Sequence, residues 1–223
     1  MEARLTEIER NQVLQYLGYR GGGVSAEVEA DIARCRAQLM AAAKPRAAWR
    51  LFSLTDDGAL AGTSFVLQGQ DIRLLLHDCT EVILLAATLG SEVERLIRRA
   101  QVSNMTDAVI LDACGSAAIE NVCDNLCADL AATFAPRYLT DRFSPGYGDM
   151  PLSQQAELFG VLDVTRRIGV SLSASGLMLP QKSVTALVGV ADRPQKMRHR
   201  GCAACNLFEN CAFRKEGSNC GAF

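Results

Sequence analysis

Apolar positions recur along this chain in two rhythms, one helical and one strand-like. Val28, Ile32, Cys35 and Leu39 fall three and four residues apart behind Ser25, which predicts an amphipathic helix with a serine N-cap. Before it, Asn11–Leu17 reads as a short helix closed by Gly18 and followed by Arg20-Gly21-Gly22-Gly23; after it, Pro45 ends the helical pattern. Ala48–Leu54 and Ala59–Leu67 flank Thr55-Asp56-Asp57-Gly58, and an Asp-Gly between two apolar runs predicts a β-hairpin. Asp71–His77 is expected as one short helix, and the Val/Ile/Leu content of Glu81–Leu89 predicts a buried strand. Ser91-Glu92-Val93-Glu94 has the form of a capping box that opens a helix running to about Val102.

A long helix is predicted from Thr106 to about Phe134. Ala113-Cys114-Gly115-Ser116-Ala117-Ala118 within it is nearly all small side chains, which would let another backbone approach closely. Ser153–Leu162 is expected to be helical and Ser183–Val190 a strand. Helices and strands mixed without regular βαβ alternation point to an α+β fold rather than a doubly wound sheet. Residues 1–192 read as one domain, and 193–223 as a basic linker and a cysteine-rich tail.

Composition narrows the function classes. The chain has 223 residues, a formal charge of −2 and 49% hydrophobic residues, so no overall positive field suggests nucleic acid as its partner. The N-terminal residues lack a basic stretch followed by an apolar one, and the apolar run Val82–Leu89 is far shorter than the ~20 residues of a membrane span. A cytoplasmic location without membrane contact is the expectation. There is no Walker loop, no Rossmann glycine fingerprint and no Ser/His/Asp set. His77, among leucines, is expected in the core or at its boundary. Trp49 is expected to face the core from a strand, and Arg166-Arg167 to be a solvated corner.

The chemistry concentrates in Asp141-Arg142-Phe143-Ser144-Pro145-Gly146-Tyr147-Gly148-Asp149-Met150-Pro151. Pro-Gly predicts a type II turn after a strand ending at Phe143, with Gly146 at the position of positive φ. Arg142 offers a guanidinium fork for a carboxylate, and Tyr147 a flat face for a ring or a cation. The spacing Arg-x-x-Pro-Gly-Tyr-x-x-x-Pro resembles the S-adenosylmethionine loop in the activation domain of cobalamin-dependent methionine synthase. The likeness continues in register through Val161-Leu162-Asp163-Val164, Ile168-Gly169-Val170-Ser171-Leu172, Met178-Leu179-Pro180 and Ser183-Val184-Thr185. It covers roughly Ala113–Val190.

The resemblance implies that family's antiparallel sheet flanked by helices, here as a free-standing subunit. It also implies a repair role, the reductive remethylation of a corrinoid. Arg142 would pair with the methionyl carboxylate, Ser144, Pro145 and Gly146 would contact the ligand along the turn, and Tyr147 would pack on it. Asp124, with Glu120 second, would supply an acidic contact from the long helix. Cobalamin would belong only to the partner, a corrinoid-bearing methionine synthase or related corrinoid protein, with a flavodoxin or ferredoxin as electron donor. Two positions depart from the family. Asp192-Arg193-Pro194-Gln195-Lys196 stands where it has an aromatic pair, and Lys44–Trp49 holds no match to its N-terminal acidic contact.

Nine cysteines fall into two groups. Cys35, Cys79, Cys114, Cys123 and Cys127 are scattered and read as buried small hydrophobes. Cys202, Cys205, Cys211 and Cys220 crowd the C-terminal end in the spacing C-x2-C-x5-C-x8-C, which suits four ligands to one metal centre. A single C-x2-C knuckle with Phe208 and Phe213 nearby favours a four-iron iron–sulfur cluster over zinc. A low-potential cluster would also suit an electron-dependent repair. The rival functions are an iron–sulfur reductive activator that binds no methyl donor, and a zinc-stapled adaptor.

Overall fold

A computed structural model describes residues 3–19 and 23–194, and the structural statements below concern those residues. Cys202, Cys205, Cys211, Cys220 and His199 lie outside them. Helices α1 (Arg10–Tyr16) and α2 (Ala26–Ala42) come first, and the Ser25 hydroxyl caps α2 by accepting from Val28 N at 3.3 Å. Then follow β1 (Arg46–Ser53), α3 (Gln70–Leu75), β2 (Cys79–Thr88), α4 (Ser91–Ser103) and the 30-residue α5 (Met105–Phe134). The remainder is β3 (Tyr138–Leu139), α6 (Gln154–Leu162), α7 (Val164–Ile168), β4 (Ser171–Leu172), β5 (Met178–Leu179) and β6 (Ser183–Ala191).

Four strands form a sheet in the order β1-β2-β6-β3, and β4 pairs with β5 in a separate ribbon. Neighbouring strands run antiparallel. Leu54 N donates to Thr80 O at the end of β1 and the start of β2, and Lys44 N donates to Leu89 O just beyond their other ends. β2 and β6 meet end to start, with the Ser183 hydroxyl 2.8 Å from that of Thr88, and β3 pairs antiparallel with β6. This is the α+β, antiparallel arrangement expected from the mixed pattern.

The chain packs as two units. The first takes the chain up to Ala48 together with Ala86–Ala132 and Asp163–Val184, and the second takes Trp49–Leu85, Thr133–Leu162 and the chain from Thr185 on. In the first unit α5 is the centre of the core. Ala113, Cys114, Gly115, Ala117 and Ala118 are all buried, and Ile32, Cys35 and Leu39 of α2 and Val93, Ile97 and Ala100 of α4 join the same cluster. What Gly115 admits is a lysine stem rather than a backbone. A Cβ there would sit 3.0–3.2 Å from Lys182 Cε, Cγ and Cδ. The stem carries its ammonium to Asp112 Oδ1 (2.8 Å) and Ser116 Oγ (2.9 Å). In the second unit β6 passes so close to its neighbours that a Cβ on Gly189 would fall 2.5 Å from Cys79 Sγ and from Leu76 Cδ2.

Four expectations need correcting. The capping box does not form, because Gly90 (φ 86°), beside the Lys44 carbonyl, takes the N-cap and moves Ser91 into the helix; Glu94 instead accepts from Gln181 N at 3.1 Å. The second arm of the hairpin is no strand. The chain doubles back through the turn at Thr55–Gly58 and again at Gly62, leaving only the bridges Leu54↔Leu60 and Ala59↔Val66. His77 is exposed and its Nδ1 lies 3.0 Å from Asp78 Oδ1, because it follows the last turn of α3 rather than its apolar face. Trp49 is half-buried; Ala48 and Phe52 carry the buried face of β1, while Trp49 lies edge-on to Phe134 with centroids 6.0 Å apart.

The scattered cysteines behave as expected, four of them buried and Cys127 half-buried. Burial raises the thiol pKa to about 11 for Cys35 and Cys79 and about 12 for Cys114, which keeps them protonated and inert at neutral pH. Among the described residues no helix is long and apolar enough to cross a membrane.

Two glycines test this packing in opposite directions. Gly189→Ala should destabilise the protein by about 1–3 kcal/mol, the usual cost of forcing atoms into a filled core. Gly160→Ala, on the exposed face of α6 with nothing within 4 Å of the new Cβ, should stabilise it by about 0.5–1 kcal/mol. Urea denaturation of both variants measures the shifts.

Candidate functional site

The stretch 141–151 belongs wholly to the second unit and is a built turn rather than a loose connection. It enters through a two-way backbone bridge between Phe143 and Leu187 of β6, with N···O distances of 2.9 and 2.8 Å. Tyr147 N then donates to Ser144 O at 3.0 Å across Pro145 and Gly146, and Gly146 has φ 92°. That is the turn the Pro-Gly pair predicts. Gly146 N donates to Met150 O and Met150 N to Tyr147 O, both at 3.0 Å, which closes the loop on itself. At these three positions the amide hydrogens are already used. The carbonyls, with two lone pairs each, keep capacity to accept from a ligand.

Phe143, Pro145 and Met150 are buried, while Arg142 and Ser144 are half-buried. Tyr147 is 62% exposed and stands edge-on to Phe143, at 6.4 Å between centroids and 86° between planes. One aromatic therefore anchors the loop and the other presents an open ring face. Glu120 and Asp124 lie one turn apart on α5, hence on one face of that helix, in the first unit. Glu120 is half-buried and Asp124 exposed.

Two side chains not singled out from the sequence fasten the loop. The Asp149 carboxylate accepts from Gln70 N (2.6 Å) and Asp71 N (3.0 Å), the first amides of α3. These hydrogen bonds hold its pKa below the ordinary aspartate value, so it is ionised at neutral pH. The fit is close on both sides. A Cβ on Gly69 would lie 2.7 Å from Asp149 Oδ1, and one on Gly148 would collide with the Asp71 carboxylate. Just beyond the loop, the fully buried Gln154 donates from Nε2 to Val66 O (2.7 Å) and accepts at Oε1 from Gln68 N (2.9 Å). Its amide satisfies the extended 66–68 backbone as a neighbouring strand would. The one available signal was residue type, since Asp and Gln are apt side-chain caps; their partners lie about eighty residues upstream.

At the other departure from the expected pattern, Arg193 donates to Asp78 Oδ1 at 2.5 Å, so the charged segment is tied to the second unit at its start. In the first unit Glu94, Ile97, Arg98, Asp112 and Lys182 line a cavity of about 110 Å³. That is well below the ~300 Å³ at which ligand pockets usually begin. No group of three or more metal-ligating side chains occurs among the described residues.

Comparison with known proteins agrees with the sequence order. Residues 120–199 match the family model described as "Vitamin B12 dependent methionine synthase, activation domain". No curated protein matches the chain significantly. Among solved structures, the crystal structure of the MetH reactivation domain bound to AdoHcy aligns with a TM-score of 0.56. The alignment covers 93% of this chain and 80% of that one, at 15% sequence identity. The family match takes in the end of α5, the 141–151 turn and all later described elements. Residues 120–199 thus resemble the activation domain of vitamin B12-dependent methionine synthase, and the α+β architecture of the chain is the fold of the MetH reactivation domain.

Proposed function

We propose that the protein binds S-adenosylmethionine through the 142–147 turn and serves the reductive remethylation of a corrinoid held by a partner, a methionine synthase or a related corrinoid protein. The observation that carries this reading is the self-closed, anchored turn with Arg142 at its start and the open face of Tyr147 at its tip. A preformed turn binds a flexible ligand at a smaller ordering cost than a loose one. In this reading Arg142 pairs with the methionyl carboxylate, and the spare carbonyl capacity at Ser144 and Gly146 accepts from donor groups of the ligand. Pro145 stiffens the turn, and Tyr147 covers a ring or the sulfonium. Asp124, with Glu120 second, keeps the acidic role that the resemblance assigns.

S-adenosylmethionine held there would supply its sulfonium methyl to the partner's corrinoid, reduced by one electron from an external donor, and would leave as S-adenosylhomocysteine. No side chain of this chain need act as nucleophile or base. Its contribution is to hold the donor in place and keep water away. The four tail cysteines, Cys202, Cys205, Cys211 and Cys220, complete the proposal. As thiolate ligands to a four-iron cluster, or to zinc, they would put a metal centre on the same chain as the methyl donor; the cluster is favoured because the repair consumes an electron.

Two measurements test these claims. Anaerobic titration calorimetry should show saturable S-adenosylmethionine binding that weakens by about 2 kcal/mol or more in Arg142→Ala, as for loss of a charged hydrogen-bonded contact. Absence of binding by a folded wild type refutes the methyl-donor reading and leaves the electron-transfer and adaptor functions. Anaerobically purified protein should contain iron and inorganic sulfide and absorb broadly near roughly 400 nm, a band lost in Cys205→Ser. Zinc without iron would refute the cluster.

A further inference from the structure

The amides of Gln70 and Asp71 open α3, where a helix has no acceptors of its own for its first N–H groups. In this protein one carboxylate, Asp149, serves both, and it reaches them from the far side of the ligand turn. Asp149 lies between Gly148 and Met150, whose N–H and C=O close the turn onto Tyr147 and Gly146. Any movement of Asp149 off α3 must therefore pull on the hydrogen bonds that shape the turn. Gly69 is the position where a side chain would strike the Asp149 carboxylate, and one at Gly148 would strike the Asp71 carboxylate beside it; both glycines have positive φ, 111° and 54°. The titratable group set beside it is Asp71, whose carboxylate lies against Gly148.

We infer that Asp149 is a positioning residue for the ligand of the 142–147 turn: its carboxylate latches the turn to α3, and the ligand-competent shape exists only while the latch is closed. This inference rests on the reading of the turn as the S-adenosylmethionine site. Its sign with pH follows from the depressed aspartate pKa. The latch is fully held above the ordinary aspartate range, near 4, and is lost only as pH falls through the lower folded value. At neutral pH it is a permanent fastening.

Latch and ligand must then stabilise one another, because a ligand that binds only the latched form suppresses unlatching. The probe is S-adenosylmethionine, and the readout is hydrogen exchange at the Gln70 and Asp71 amides beside calorimetric affinity. In wild type, ligand at ten times its Kd should slow exchange of these two amides about ten-fold. Asp149→Asn retains one acceptor but turns an NH2 donor toward the other amide. It should expose these amides without ligand and weaken binding about ten-fold or more. Gly69→Ala, which crowds Asp149 Oδ1 from outside the turn, should do the same, and Asp149→Glu should recover part of the affinity.

A merely structural aspartate would lower thermal stability without making the two amides respond to ligand. Unchanged affinity in Asp149→Asn, or amides indifferent to ligand in wild type, overturns the inference. If wild type binds no S-adenosylmethionine, the reading of the turn fails and the ligand role of Asp149 fails with it. Exchange in the ligand-free proteins then still decides the fastening itself: slow in wild type and fast in Asp149→Asn if it exists, equal if it does not.

Discussion

Burial of β2 on both faces is the constraint around which the rest is arranged. Every residue from Val82 to Thr88 is buried, although successive side chains of a strand point to opposite sides. Such a strand cannot lie at an edge or face water on either side. It takes an interior place in the order β1-β2-β6-β3 and leaves the two-residue β3 as the outer member beyond β6. β6 inherits the same condition, with Thr185–Ala191 buried throughout, and close approach at Gly189 follows. Most of the few polar side chains within this region are matched, the buried Thr185 hydroxyl being an exception. Ser183 lies within 2.8 Å of both the Thr88 hydroxyl and Pro180 O, and Thr140 Oγ1 accepts from Gly189 N.

The candidate ligand turn takes its order from this interior. Phe143 bridges to Leu187 in the middle of β6, so the turn starts from a buried strand. At its other end Asp149 and Gln154 hold stretches of chain that lie outside the named strands, the start of α3 and the 66–68 segment. Between these fixed ends the turn uses its own amide hydrogens internally. The result is a short backbone arc closed by its own hydrogen bonds, with the half-buried Arg142 at its start and the exposed Tyr147 at its tip. That suits a function in which the protein positions a reactive molecule and performs no acid–base step itself.

Much of this was legible from local patterns. The serine cap on α2, the span of α5, the buried β2 and β6 and the Pro145-Gly146 turn depend on neighbours within a few residues, which periodicity and turn chemistry report directly. The order of short motifs after Ala113 pointed to the same family whose model matches residues 120–199, because a family likeness is itself a linear signal.

What only the tertiary structure decided involves partners far along the chain. Ser91-Glu92-Val93-Glu94 has every local mark of a capping box, yet the approach of Lys44 to Gly90 moves the cap and frees Glu94 for Gln181. Gly115 had the look of a helix–backbone contact and in fact admits the stem of Lys182. Asp149 and Gln154 gave no sign of their partners, because hydrogen bonds across about eighty residues leave no period in the sequence. Local backbone preferences and side-chain spacing are properties of the chain and can be read along it. Which donor meets which acceptor is set by the packing of the interior, and so only the folded molecule shows how the turn is held.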